Sequence, residues 1–314
     1  QGKRNGKRGR CGRTSTIPKP DNQHSIIMND RIDVRKTHKM FINGKFARSE
    51  SERTFNWTTA DTKDSTNICR ASRKDFRDSV LAAKNAFSGW SSRTAYNRAQ
   101  IIYRCAEILE GRSAQLVEEL HAQGLDPEDA QLEVRQTIDL LVYYAGWADK
   151  YQQLFSSVNP VSAPYFNFTA LEATGVVAII APRESGLLGI VSAIAPALVG
   201  GNTCVTLISE EHPLCTASLS ETLHTSDVPA GVVNLLTGYR SELIEQFSTH
   251  MEVNALIYFG EDKDEITQIE TNAAENVKRV SICTRHDWEY ESSLSPYAIL
   301  RTQETKTTWH PIGF

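Results

Sequence analysis

Residues 175–208 read GVVAIIAPRESGLLGIVSAIAPALVGGNTCVTLI. An apolar, largely β-branched run at 176–181 stops at Pro182, and a short polar loop, Arg183-Glu184-Ser185-Gly186, follows. A nearly uncharged segment, 187–199, ends on Gly200-Gly201, and a second apolar run occupies 203–208. Short apolar runs bounded by Pro and Gly predict strands buried on both faces, and the longer segment between them predicts a buried helix. Strand, tight loop and helix N-terminus together form a cradle for an anion. This loop instead carries a carboxylate of its own, Glu184.

The alternation continues downstream. Helices are predicted at 213–225, 241–249 and 262–274, and strands at 232–237, 256–259 and 279–283. Five apolar runs separated by helices predict an α/β fold, a Rossmann-type five-stranded parallel sheet covered on both faces. Upstream, Met40-Phe-Ile-Asn-Gly-Lys-Phe46 sets Asn43-Gly44 between apolar flanks, a two-residue hairpin signal. Short strands are expected near 54–57 and 67–70. Segments 73–87, 93–120 and 127–150 have apolar residues at helical spacing and predict an N-terminal helical layer, with Tyr143, Tyr144 and Trp147 as packing residues. Residues 165–171 alternate like an exposed or interface strand. The expected organisation is a basic extension or linker at 1–38 and one domain at 39–286, with a small strand arm formed by 155–174 and 296–314.

Composition narrows the function classes. The chain has 314 residues, 40% of them hydrophobic and 23% charged, with a formal net charge of −4, which is ordinary for a globular protein and argues against nucleic acid or an anionic membrane as the main partner. The exception is the first nineteen residues, which hold seven Lys/Arg and no acid. A solvated tail is the expectation there, with contact to RNA, a membrane or an acidic protein face as the alternative. A chain starting at Gln1 is expected to be processed or cut from something longer, and the start lacks the pattern of a secretory signal. No run reaches the ~18 uninterrupted apolar residues of a membrane span. Six scattered cysteines without a C-x-x-C pair predict a reducing intracellular compartment, cytoplasmic or mitochondrial. His212, Cys215 and His224 lack a second paired ligand set, so no metal site is expected.

No G-x-G-x-x-G, Walker loop or G-x-S-x-G elbow follows any of the strands. Other anchors are present: Phe41-Ile-Asn-Gly-Lys-Phe46, Gly89-Trp90, Tyr143-Tyr-Ala-Gly-Trp-Ala-Asp149, Gly175-Val-Val-Ala-Ile-Ile-Ala-Pro182, Pro196-Ala-Leu-Val-Gly-Gly-Asn202, Pro229-Ala-Gly-Val-Val-Asn-Leu-Leu-Thr-Gly238 and Asn276-Val-Lys-Arg-Val280. In this order they resemble the N-terminal half of the aldehyde dehydrogenases, from residue 40 to about 283.

The resemblance implies an NAD site and a cysteine-based mechanism, and the expected positions depart from it. The loop that reads Pro-Trp-Asn in the family is Pro182-Arg183-Glu184 here, so Glu184 stands where an asparagine holds the oxyanion. Losing such a donor costs about 2.7–4 kcal/mol. The ribose-gripping lysine is Leu207, whereas its partner glutamate is kept as Glu210. The turn that carries the pyrophosphate keeps Gly260 but has Glu261 for its serine, and Gly238 is also kept. Cys283 occupies the place of the general-base glutamate; a buried strand cysteine is the expectation there, a nucleophile the alternative.

The catalytic domain that follows this point in the family is expected to be absent. The ending at 297–314 resembles the family's oligomerisation strand. Taken together, this pattern resembles the non-catalytic second half of aldehyde dehydrogenase family 16 proteins. The expectation is therefore a pseudoenzyme without cofactor or metal that serves assembly, with Tyr165, Phe166, Phe168, Thr305, Thr307 and Trp309 at its interface. Its expected partner is a second copy, a preceding dehydrogenase domain or a larger complex. Two alternatives stay open, a residual NAD(H)-binding module and an NAD-dependent dehydrogenase that borrows its catalytic domain from another chain.

Overall fold

A computed structural model of the chain describes residues 36–58 and 65–313. The expected extension lies outside these residues up to residue 35, as does Cys11. Its boundary moves, because Thr37–His38 already forms a strand, parallel to Ser65–Cys69. With Thr54–Thr58 these make a small three-stranded sheet.

The main sheet has seven strands. In spatial order they are Arg279–Cys283, Ala255–Phe259, Val176–Ile180, Thr203–Leu207, Val233–Leu236, Met40–Ile42 and Lys45–Ala47. The first five run parallel. The expected five-stranded parallel sheet is thus the body of a mixed sheet, because the 40–47 hairpin adds antiparallel at the Val233–Leu236 edge through the Phe41–Leu235 pair. Asn43 (φ 51°) and Gly44 (φ 71°) supply the two left-handed positions that a type I′ turn needs. Residue parity sorts the core. Val177, Ile179 and Ala181 pack on the side of Leu188–Val199, Ala95–Gly111 and Pro127–Trp147. Val176, Ala178 and Ile180 pack on the side of Arg73–Ser91 and Arg240–Thr249. With both faces covered, the central strands read as continuous apolar runs.

Two expected elements differ in detail. Segment 93–120 is two helices, Ala95–Gly111 and Ser113–Ala122, because Arg112 leaves helical geometry (φ −108°, ψ 7°) just after Gly111. The arm is built from Ser157–Asn159, Tyr165–Ala173 and Gln303–Pro311, all antiparallel. Residues 297–300, expected as strand, form a helical turn directly after Pro296, and all nine residues of Gln303–Pro311 pair with Tyr165–Ala173. Register also divides the six expected interface residues. Tyr165, Thr305, Thr307 and Trp309 share one face of the arm, and Phe166 and Phe168 lie on the other.

Candidate functional site

Strand order locates the place where chemistry belongs in such a sheet. From Val176–Ile180 the chain adds Thr203–Leu207 and Val233–Leu236 on one side, then returns to place Ala255–Phe259 on the other. The order therefore reverses between Val176–Ile180 and Ala255–Phe259, and ligands of open α/β sheets bind at the carboxyl ends of such a pair. A crevice of about 310 Å³ lies there, lined by Arg183, Glu184, Arg240, Tyr258, Phe259, Gly260, Glu261 and Asp262.

Its two arginines are turned on carboxylates of the same chain. Arg183 Nη1 donates to Glu210 Oε1 at 3.0 Å, and its Nη2 lies 3.4 Å from Glu265 Oε1. The second oxygen of Glu265 lies 3.5 Å from Arg240 Nη1 and accepts the Tyr258 hydroxyl. Arg240, whose side chain is 6% exposed, also donates to the Ala181 carbonyl at 2.6 Å and lies over the Tyr258 ring. Burial first, and then the hydrogen bond to Glu265, hold the Tyr258 phenol well above its ordinary titration range. The resulting chain, Glu210–Arg183–Glu265–Arg240, spans the carboxyl ends of the parallel strands. Glu210, the residue expected to remain for a ribose, spends Oε1 on Arg183 and Oε2 on the Arg240 backbone N–H.

Both helix N-termini flanking the crevice are filled in the same way. At Leu188–Val199, the acceptor is Glu133 from the helix Pro127–Trp147. Its Oε1 takes the Ser185 hydroxyl (2.9 Å) and the N–H groups of Leu187 (3.1 Å) and Leu188 (3.0 Å). Ser185 Oγ in turn accepts from Gly189 N–H at 2.8 Å. At Lys263–Ala274, Asp262 Oδ1 accepts from the N–H groups of Asp264 and Glu265 at 2.9 and 3.0 Å, which holds its carboxyl below the usual range. These N–H groups are the positive ends an anionic ligand would seek.

The other expected positions are placed as follows. Glu184 and Glu261 are exposed at the mouth of the crevice, outside the ion-pair chain. Pro182 and Leu207 are buried, Leu207 as the last residue of its strand. A Cβ at Gly260 would sit 2.6 Å from Tyr258 Oη, so the ring covers that glycine; at Gly238 it would meet the Ala71 backbone nitrogen at 3.2 Å. Cys283 is 1% exposed, with Arg301 Nη1 3.4 Å from Sγ. Burial pushes its thiol up to about 11 despite that guanidinium, so it stays protonated near neutrality and is a poor nucleophile. His212 Nδ1 lies 2.7 Å from the Arg183 carbonyl oxygen, while Cys215 is buried with Gln123 Nε2 3.5 Å from its sulfur. The five cysteines among the described residues are unpaired and buried, and no described helix is long and apolar enough to cross a membrane.

Sequence reasoning missed Glu133, Arg240, Tyr258, Asp262 and Glu265. Asp262 followed three residues later by Glu265 at a helix start carries a capping signature. Glu133 gives no local signal, since its partners lie more than fifty positions away.

Residues 46–284 match the model of the aldehyde dehydrogenase family. The chain is 31% identical over 252 residues to aldehyde dehydrogenase, cytosolic 1, of Elephantulus edwardii, covering 78% of this chain and 49% of that protein. It is 30% identical over 262 residues to cytosolic 10-formyltetrahydrofolate dehydrogenase of Xenopus tropicalis, covering 81% of this chain and 29% of that protein. Among solved structures, the NAD+ complex of aldehyde dehydrogenase from Bacillus cereus superposes with a TM-score of 0.75 at 28% identity, over 79% of this chain and 51% of that one. The chain thus spans about half the length of the first of these relatives, or less.

Proposed function

The chain belongs to the aldehyde dehydrogenase family, and from that premise we propose that it is a non-catalytic module whose role is assembly with protein partners. One contrast carries this reading: the two guanidiniums of the crevice are paired with the protein's own carboxylates, while apolar groups of the arm are left to solvent. Val158, Tyr165, Phe166 and Trp309 within that small sheet, and Ile312 just past its last strand, are 39–66% exposed. Exposed aromatics beside a free strand edge are the surface features that favour pairing with another chain. Resemblance to the pseudo-domain of aldehyde dehydrogenase family 16 agrees with this, as does the short link, residues 284–302, between Cys283 and the arm strand.

The chemistry favours a module without cofactor. By the resemblance, a bound dinucleotide would need Glu210, the N-terminus of Lys263–Ala274 and the space over Gly260, and each of these is taken by a side chain of the protein. A nucleophile for aldehyde oxidation is not supplied by Cys283. The NAD(H)-binding alternative rests on Glu210 and Gly260 alone.

Sedimentation of the full chain at micromolar concentration tests the assembly role. Self-association is expected, and Phe166→Ser combined with Trp309→Ser is expected to weaken it roughly 30-fold, as for loss of a hot-spot aromatic worth about 2 kcal/mol. A chain that sediments as a monomer, with the double variant unchanged from it, overturns assembly through this arm.

A further inference from the structure

A groove of about 430 Å³ lies at the amino ends of the parallel strands, opposite the crevice, where the turns leading into Val176–Ile180, Ala255–Phe259 and Arg279–Cys283 meet. Thr174, Met251, Val277, Lys278, Arg279 and Glu304 are among the residues that line it, and it shares none with the crevice.

Its charges do not balance. Arg279 Nε donates to Glu304 Oε1 at 3.1 Å, which leaves Lys278 as the surplus cation. Lys278 is 8% exposed and pairs with no carboxylate among the described residues. Its Nζ donates to the His250 carbonyl at 2.9 Å and, with the Asn276 amide turned to suit both its neighbours, to Asn276 Oδ1 at 3.0 Å. Both acceptors are neutral, and an ammonium carries three donors. A cation taken out of water without an opposite charge is costly, and burial alone pulls this one down to about 8. A lysine beside the last carbonyls of Arg240–Thr249 also complements that helix's dipole. Helix capping does not account for the rest of the groove. Thr174 Oγ1 is buried without a hydrogen-bond partner among the described residues. Val277 holds a left-handed φ of 56°, unusual for a β-branched residue, and is 91% exposed, while Met251 is 74% exposed.

We propose that this groove binds a small organic carboxylate with a short apolar tail, with Lys278 as its counter-charge, Thr174 as a hydrogen-bond donor, and Met251 and Val277 against the tail. One negative charge matches the single positive charge left by Lys278, Arg279 and Glu304. A phosphate dianion would bring a second negative charge near Glu304. The site stands apart from the assembly reading and does not depend on it.

The test is a titration of the full chain, carrying 13C at its methionine methyls, with sodium hexanoate at constant ionic strength. Met251 reports the groove, and the buried Met40 serves as internal control. The Met251 methyl is expected to shift saturably, half-way at roughly 1–10 mM, the range open to a ligand of about eight non-hydrogen atoms, while Met40 stays unmoved. Lys278→Met is expected to abolish saturation, with its urea midpoint showing that it folds. A second arm needs no variant. Lys278 passes from about nine-tenths charged at pH 7 to about one-tenth at pH 9, so affinity falls about tenfold across that interval. The other groups facing the groove do not titrate there: His250 and Glu304 are both held below their ordinary ranges, and the Arg279 guanidinium keeps its charge. A linear shift in the parent, a folded Lys278→Met that saturates equally, an affinity unchanged between pH 7 and pH 9, or equal saturation by inorganic phosphate overturns the proposal.

Discussion

Glu265→Ala is expected to lower the stability of the folded chain by about 3 kcal/mol or more, the scale seen when one partner of a buried ion pair is removed. Glu265 joins both guanidiniums of the crevice and the Tyr258 hydroxyl, and its side chain is only 18% exposed. Without it, Arg240, 6% exposed in the parent chain, keeps the Ala181 carbonyl and the face of Tyr258 as neighbours but loses that carboxylate. A buried guanidinium stripped of a carboxylate is costly because the interior screens charge poorly. The half-exposed Arg183 contributes less, since solvent screens it and Glu210 remains. Urea unfolding of parent and variant measures the loss. A second readout separates the network from simple packing. Glu265 helps to raise the Tyr258 phenol, so in the variant that phenol titrates at lower pH than in the parent, visible by ultraviolet absorbance. A variant as stable as the parent, with an unshifted phenol, shows that the network is not formed in solution.

Glu133→Ala is expected to cost about 2–3 kcal/mol, a helix cap together with the donors it leaves unpaired. One oxygen of Glu133 serves the Ser185 hydroxyl and two backbone N–H groups at the start of Leu188–Val199. That helix is buried along its whole length, so water cannot easily take over from the carboxylate. Glu133→Gln retains an acceptor and loses the charge, so it should recover more than half of the stability. Equal destabilisation by Ala and Gln would mean that charge at the helix dipole, rather than acceptance of the hydrogen bonds, holds the loop.

Much of this architecture is legible in the amino-acid order because it is local. The run 176–181 is apolar without a break, and 203–208 is uncharged, since both faces of their strands are covered, and Asn43-Gly44 announces its hairpin by turn chemistry alone. The departures at Glu184, Leu207 and Glu261 are visible against a resemblance, residue by residue. How the crevice is closed is not visible, because the pairs Arg183–Glu265, Arg240–Glu265 and Glu133–Leu188 join positions far apart in the chain. Glu184 is the acid in the loop, yet it is exposed, and the carboxylate in the anion cradle is Glu133. The arm was legible as two strands, but its division of Phe166 and Phe168 from Trp309 depends on register, which the sequence of neither strand contains.

The central claim is that the protein's own carboxylates occupy the place of a dinucleotide. Calorimetric titration of the full chain with NAD+ tests it most directly. Entry of the cofactor would have to break the Glu210–Arg183 contact and uncap the start of Lys263–Ala274, and each 1.4 kcal/mol so lost weakens binding about tenfold. The predicted result is no saturable heat up to about 1 mM NAD+, a limit corresponding to roughly 4 kcal/mol of binding free energy. A saturable isotherm with micromolar affinity would contradict the account.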